Sequence, residues 1–266
     1  MPPRPRPIVV LAIAGSDPSG GAGIQADLRT AAALGAYGMA VITTLTAQNT
    51  LGVTDIHPIS PDVVAGQLDT LLDDVRIDAV KIGLLGSPES AAAVGERLRG
   101  TRLNGIPTVL DPVLVASTGH RLADERAVAA IRGLLPAVSV VTPNLAEAAA
   151  LTGLPPAADL SAMRVQAAAL RDLGAARVLL KGGHLTGDAV DLWLDEGGEF
   201  VLEGPRVATT ATHGTGCMLS TALAGYRAIE DDWRIAAVRA KIWLAEALEA
   251  GDVVALGGGP GPVFHA

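Results

Sequence analysis

Aromatic side chains are scarce: Trp, Tyr and Phe together make 3% of the 266 residues. So few rings provide no run of stacking platforms for single-stranded nucleic acid. Basic charge is also short. Twenty Lys and Arg stand against 28 Asp and Glu, a formal net charge of −8 at pH 7. No basic stripe of the kind that binds a phosphate backbone is visible, so nucleic acid is excluded as a partner. Cysteine is nearly absent. The single Cys217 rules out an internal disulfide framework and a cluster of zinc-binding thiolates, and it fits a reducing, cytoplasmic setting. Long apolar runs are missing too, and none spans a bilayer without interruption by charge or glycine. Arg4 and Arg6 before the apolar residues 8–14 imitate a signal peptide, but that run is short and leads straight into a glycine-rich loop. It reads as a first core strand.

What is present is aliphatic. Hydrophobic residues make up 49% of the chain, chiefly Ala, Val and Leu, which suits close packing of helices on a sheet. Residues 8–14 form a continuous apolar strand buried on both faces. A loop with four glycines, residues 15–23, follows, and residues 24–34 then run at helical period. The pattern repeats with strands predicted at 40–44, 79–83, 107–111, 138–142 and 177–180 and helices at 61–74, 88–99, 218–229 and 234–250. Residues 190–194 and 200–202 read as a hairpin. This alternation predicts one α/β domain across residues 1–266, with a central, mostly parallel sheet and helices on both faces.

Ligands of such sheets collect at the carboxyl ends of the strands. The loop at 15–23 matches neither the Walker A pattern nor the dinucleotide fingerprint. Gln48 and Asn49 follow a strand, where they can read a heterocycle's edge or cap a turn. Asp111 ends another strand and can hold a metal or a phosphate. Asn144 and Glu147 suit a helix-capping box, and equally a water-mediated Mg²⁺ site. Lys181, beside two glycines, suits a phosphate contact. In Thr212-His213-Gly214-Thr215-Gly216-Cys217 a Gly-Thr-Gly turn opens a helix, an arrangement that directs unpaired backbone N–H groups at an anion. Cys217 lies in the first helical turn, where the dipole favours a thiolate. A cysteine hydrolase using His213 or His184 is one reading of that thiol, although it leaves the phosphate-binding residues idle. Residues 112–121 are a candidate lid.

Taken together, the segments Ala14-Gly15-Ser16-Asp17-Pro18-Ser19-Gly20-Gly21-Ala22-Gly23, Ala47-Gln48-Asn49-Thr50, Val80-Lys81-Ile82-Gly83, Thr142-Pro143-Asn144-Leu145-Ala146-Glu147, Leu180-Lys181-Gly182-Gly183-His184 and Thr212–Cys217 resemble the hydroxymethylpyrimidine/phosphomethylpyrimidine kinases of the ribokinase-like superfamily. The resemblance runs from about residue 8 to residue 265. It implies a ribokinase-like fold, ATP as co-substrate, Mg²⁺, a homodimer, and phosphorylation of 4-amino-5-hydroxymethyl-2-methylpyrimidine to its monophosphate and then its diphosphate in thiamin biosynthesis. It also implies the roles of individual residues. Gly214, Thr215 and Gly216 form an anion hole, and Cys217 stands where related sugar kinases carry an aspartate base. Gly15, Ala22, Asp27, Gln48, Leu84 and Val113 contact the pyrimidine. Asp111, Asn144, Lys181, Thr212, His213 and Lys241 contact ATP, and Asp111 with Glu147 serves the metal. Leu84 stands where many relatives have methionine, a swap that conserves volume. A pyridoxal kinase of the same branch and a non-catalytic heterocycle-binding protein are the alternatives.

Overall fold

The computed structural model describes residues 6–114, 124–183, 185, 189–209, 211–251 and 256–263. Its first strand, β1 (Val9–Ser16), is buried almost throughout because no polar side chain interrupts it. Side chains alternate across it. Val9, Leu11 and Ile13 face one helical layer, and Val10 faces the other.

Around β1 the chain builds α1 (Gly23–Ala33), β2 (Tyr37–Asn49), β3 (Gly52–Pro58), α2 (Pro61–Asp74), β4 (Ala79–Ile82), α3 (Pro88–Arg99) and β5 (Thr108–Leu110). It continues with α4 (Glu125–Arg132), β6 (Val140–Val141), α5 (Leu145–Thr152), α6 (Leu160–Asp172) and β7 (Val178–Lys181). The hairpin β8 (Asp191–Asp195) and β9 (Gly198–Leu202) and two helices, α7 (Thr215–Glu230) and α8 (Trp233–Gly251), complete it. Among the described residues nine strands form one sheet, ordered β3-β2-β1-β4-β5-β6-β7-β8-β9. The run from β2 through β7 is parallel, and β3, β8 and β9 are antiparallel additions at the edges. Helices α2 to α6 cover one face through Val64, Leu68, Val94, Leu151 and Met163. Helices α1, α7 and α8 cover the other through small residues such as Ala31, Ala222, Ala236 and Ala240, which let them lie close to the sheet. No helix among the described residues is long and apolar enough to cross a membrane.

Strand order reverses between β1 and β4, where neighbouring connections leave in opposite directions and open a crevice at the strands' carboxyl ends. The observed β2 is longer than the predicted strand. It carries Gln48 on a strand end, past a bulge at Ala47/Gln48, instead of in a loop. The Asn49 side chain accepts hydrogen bonds from the Leu51 and Gly52 N–H groups at 2.9 and 3.2 Å and turns the chain back into β3. That hairpin escapes a search for apolar runs, because its exposed positions are polar. Helices α4 and α6 also go unpredicted, though aspartates cap both: Asp124 accepts from the Ala127 N–H and Asp159 from the Ala162 N–H, each at 2.8 Å. Most of the candidate lid, and His184, lie outside the described residues.

Candidate active site

The carboxyl ends of β1, β2, β4, β5, β6 and β7 open into one cavity of about 830 Å³. Its wall includes every predicted site residue except Asp27: Gly15, Ala22, Gln48, Leu84 and Val113 on one side, Asp111, Asn144, Glu147, Lys181 and Lys241 on the other, and Thr212 through Cys217 between them.

The stretch Thr212–Cys217 owes its shape to glycine. Gly214 has φ +84°, and a Cβ there would lie 1.9 Å from the Gly21 carbonyl oxygen. Only glycine lets α7 begin flush against the loop after β1. No side chain caps α7, so first-turn N–H groups are left for a ligand, with the positive end of the helix dipole behind them. A Cβ at Gly216 would sit 3.1 Å from the Lys181 Nζ and 3.6 Å from an Asp111 oxygen. The helix start and the strand-end charges therefore face one point.

Cys217 keeps some surface toward the cavity floor, but its surroundings correct the expectation of a thiolate. Burial pushes the thiol up to about 11, against the pull of the Lys81 cation and the Gly23 N–H. At pH 7 the group is a neutral thiol.

Lys181 Nζ donates to Asp111 at 2.8 Å. Burial works against its charge, but Asp111 and Glu147 more than restore it and hold the ammonium above its ordinary range. Asn144 and Glu147 do form the predicted capping box. The Asn144 side chain accepts from the Glu147 N–H at 2.9 Å, and Glu147 accepts from the Asn144 N–H at 2.8 Å. Capping and ligand-facing roles are both available, since these two residues also line the cavity. Burial raises the Glu147 pKa from 4.5 to about 7, which Lys181 opposes and Asp111 reinforces. This buried carboxylate, beside a second one, is short of positive charge. Among the described residues no three His, Cys, Asp or Glu side chains cluster as in an all-protein metal cage. The pair fits a hard cation that takes its other oxygens from water and phosphate.

The position of Asp27 corrects the expectation that it contacts the ring. Its side chain is fully buried beneath the pocket, with both oxygens 2.9 Å from Lys81 Nζ and one 2.8 Å from Thr221 Oγ1. With its acceptors so engaged and no surface exposed, it supports the floor and does not touch a ligand. Lys241 is also engaged, donating to Asp191 at 2.7 Å and to the Ala189 carbonyl at 2.6 Å. Asp191 also accepts from the Gly182 N–H at 2.9 Å and so ties α8 to the loop after Lys181.

His213, expected at ATP, instead points toward Gln48 and the loop after β1. Its Nε2 lies 2.8 Å from an Asp17 oxygen and 3.3 Å from Gln48 Nε2. Asp17 was not singled out from the sequence. It follows a strand and precedes a Pro-Ser-Gly turn, so a turn-capping role hides it. Burial works to raise its pKa, yet hydrogen bonds from His213, Ser19 and the Ala22 N–H outweigh that and hold it below the ordinary carboxylate range.

Residues 17–264 match the family model described as phosphomethylpyrimidine kinase. The chain belongs to that family. It is 49% identical over 260 residues to the hydroxymethylpyrimidine/phosphomethylpyrimidine kinase of Escherichia coli strain K12, covering 97% of each chain. A crystal structure of phosphomethylpyrimidine kinase from Clostridium difficile 630 superposes with a TM-score of 0.79 at 37% identity, covering 90% of this chain and 99% of the other. Pyridoxal kinase from Staphylococcus aureus, solved with AMP-PCP and pyridoxal, gives 0.88 at 33% identity, covering 98% and 94%. The family membership accounts for the ribokinase-like sheet and for a kinase chemistry.

Proposed function

We propose that the chain transfers the γ-phosphoryl group of ATP to the hydroxymethyl oxygen of 4-amino-5-hydroxymethyl-2-methylpyrimidine, and then a second phosphoryl group to the resulting monophosphate, in thiamin biosynthesis. The observation that carries this reading is the meeting, in one cavity, of an uncapped helix start, the Lys181–Asp111–Glu147 cluster and a slot formed by Gly15, Gln48, Leu84 and Val113. The first two answer the charge of a transferring phosphoryl group, and the third takes a flat ring. Phosphoryl transfer passes through a loose transition state, where positioning and charge neutralisation supply most of the rate. Gly214 and Gly216 offer backbone N–H groups to the moving phosphoryl oxygens, while the Thr215 N–H, expected among them, donates to the Thr212 carbonyl at 3.4 Å. Lys181 neutralises charge, and Asp111 and Glu147, with Asn144 beside them, would hold Mg²⁺, which would supply further positive charge against the phosphates. Thr212 and Lys241 lie toward the nucleotide. The whole chain acts as one kinase domain, in the cytoplasm and as a homodimer. Leu45 and Leu51, exposed on the edge hairpin at 45% and 69%, support the pairing of two copies.

Cys217 serves as a positioning group in this scheme, because a thiol with a pKa of about 11 is no standing base at neutral pH. Rate constants for Cys217→Ala are expected to fall by about tenfold, less than the ~10²–10⁴ typical of a lost general base. The wild-type kcat is expected to stay level from about pH 8 to about pH 9.5. A tenfold rise per pH unit that vanishes in Cys217→Ala marks a thiolate base instead.

Glu147 yields a second test. The unfolded chain loses this proton near 4.5 and the folded chain holds it to about 7. The folded state therefore loses stability as pH rises across that window. A cation that binds the ionised form recovers the loss. Mg²⁺ is expected to raise the melting temperature at about pH 8 and to leave it unchanged at about pH 5. Equal shifts at both values count against Glu147 as a metal ligand.

The second reading, pyridoxal phosphorylation, is favoured by the closeness of the fold to the pyridoxal-bound kinase of S. aureus. Both substrates are flat six-membered rings bearing a CH₂OH, and the contacts at Gln48 decide between them.

A further inference from the structure

We infer that Asp17 and His213 form a relay that locks the Gln48 side-chain amide in one orientation and so sets which heterocycle edge the pocket accepts. The inference rests on the reading of this cavity as a heterocycle pocket, and it deepens that reading by naming two positioning residues for its specificity.

Asp17 is an ionised carboxylate and can only accept. Its Oδ1 takes the Ser19 N–H at 2.9 Å and the Ser19 hydroxyl at 2.7 Å, and its Oδ2 takes the Ala22 N–H at 2.8 Å. The remaining contact, His213 Nε2 at 2.8 Å from Oδ2, therefore needs a proton on that nitrogen. Nε2, as a donor, cannot also accept from an amide N–H. An amide N–H therefore finds no lone pair on that nitrogen, and Gln48 turns its oxygen toward it across the 3.3 Å gap, where it shares the one proton that Asp17 holds more closely.

The other side of the amide agrees. Thr46 Oγ1 donates its single proton to the Ser16 carbonyl at 3.0 Å and lies 3.2 Å from the Gln48 amide. Its one proton goes to the nearer acceptor, the Ser16 carbonyl, and the hydroxyl then accepts from the amide nitrogen once the amide is turned as His213 requires. The His213 side sets this orientation, and the Thr46 side accommodates it. With its flanks engaged by His213 and Thr46, the amide presents the remaining N–H and oxygen lone pair to the cavity. That edge is complementary to a ring nitrogen beside an exocyclic amino group, the edge of an aminopyrimidine.

The relay is also held mechanically. A Cβ at Gly21 would lie 2.0 Å from His213 Cδ2, so the loop after β1 presses its backbone on the imidazole and fixes the ring plane. Asp17 belongs to that loop and His213 adjoins the α7 start, so substrate edge and phosphoryl site share one support.

The test uses the full-length protein and binding of the heterocycle alone. Dissociation constants for hydroxymethylpyrimidine and pyridoxal are measured by calorimetry for wild type, Asp17→Asn, Gln48→Ala and the double variant. An asparagine at position 17 can offer His213 a donor, which frees the imidazole nitrogen to accept and the Gln48 amide to flip. Asp17→Asn is expected to lose about tenfold in discrimination between the two rings, roughly the value of one hydrogen-bonded contact. Its melting temperature falls by a few degrees with the loss of the ionised carboxylate, and its KM for ATP stays near the wild-type value. On the Gln48→Ala background the same change is expected to alter discrimination less than twofold, since the relay has lost its end point. The inference is overturned if Asp17→Asn discriminates as wild type does, or if its effect persists without Gln48. It is also overturned if Asp17→Asn merely melts early and binds both rings more weakly by the same factor. A wild-type protein that binds neither ring overturns the functional reading itself, which separates the two failures.

Discussion

Replacing Asp27 by alanine is expected to destabilise the fold by about 3–5 kcal/mol, because Lys81 is left without its partner in the interior. Lys81 Nζ is fully buried, 2.9 Å from both Asp27 oxygens. Burial acts to discharge it, but Asp27, with smaller help from Asp111, holds the ammonium above its ordinary range. With Asp27 gone, burial pulls the ammonium toward its neutral form, and the loss is the cost of either discharging Lys81 or keeping it charged without a partner. For a chain of this size the loss corresponds to a fall in melting temperature on the order of 10 °C. Pairing Asp27→Leu with Lys81→Met removes both charges and is expected to recover most of that stability, as buried ion pairs replaced by apolar groups of like volume often do. The recovered double variant then tests where Asp27 acts. Because Asp27 lies under the pocket, the KM for the heterocycle is expected to stay within a few-fold of wild type. A well-folded double variant whose KM rises a hundredfold would return Asp27 to the ligand wall. A single variant that melts with wild type would deny the ion pair its structural role.

The second large effect concerns Gly214. Gly214→Ala is expected to lower kcat by about 10²–10³, the scale of losing one donor to a developing oxyanion. The added Cβ would meet the Gly21 carbonyl at 1.9 Å while the backbone holds φ +84°. The first turn of α7 must then shift away from the point where Lys181 and Asp111 converge. Gly35→Ala is the matched control, because Gly35 has φ +74° with nothing within 4 Å of a new Cβ. Both variants carry the left-handed strain, on the order of 1 kcal/mol. Only Gly214→Ala should lose turnover. Equal kinetics in both would mean that the α7 start does not position the phosphoryl group.

These two cases also mark how far the sequence could be read. The parallel core was legible because β1 is an unbroken aliphatic run and β5, β6 and β7 end apolar runs in polar residues, which pointed to Asp111, Asn144 and Lys181 as ligand-edge groups. Gly214-Thr215-Gly216 announced a helix start in the same way. What stayed hidden depends on direction and depth. Asp27 in the first turns of α1 is equally compatible with a ligand contact or a buried pair, and only the arrival of Lys81 from β4, 54 residues away, decides it. A cysteine at a helix start suggests a lowered pKa, yet the depth of the cavity floor reverses the sign. Asp17 looked like a turn residue because its partner His213 lies 196 residues further on. The β2–β3 hairpin was missed because its alternation is of polar residues at an edge, where burial gives no hydrophobic signal.

The central claim is that this site moves phosphoryl groups from ATP to an aminopyrimidine alcohol and then to its monophosphate. The most direct measurement incubates purified protein with ATP and Mg²⁺ and offers hydroxymethylpyrimidine, its monophosphate and pyridoxal in separate reactions, with products identified by mass. The account predicts one and then two phosphoryl groups on the pyrimidine, with ADP formed in step. Turnover of pyridoxal alone, or binding of the pyrimidine with no ATP consumed, would contradict it.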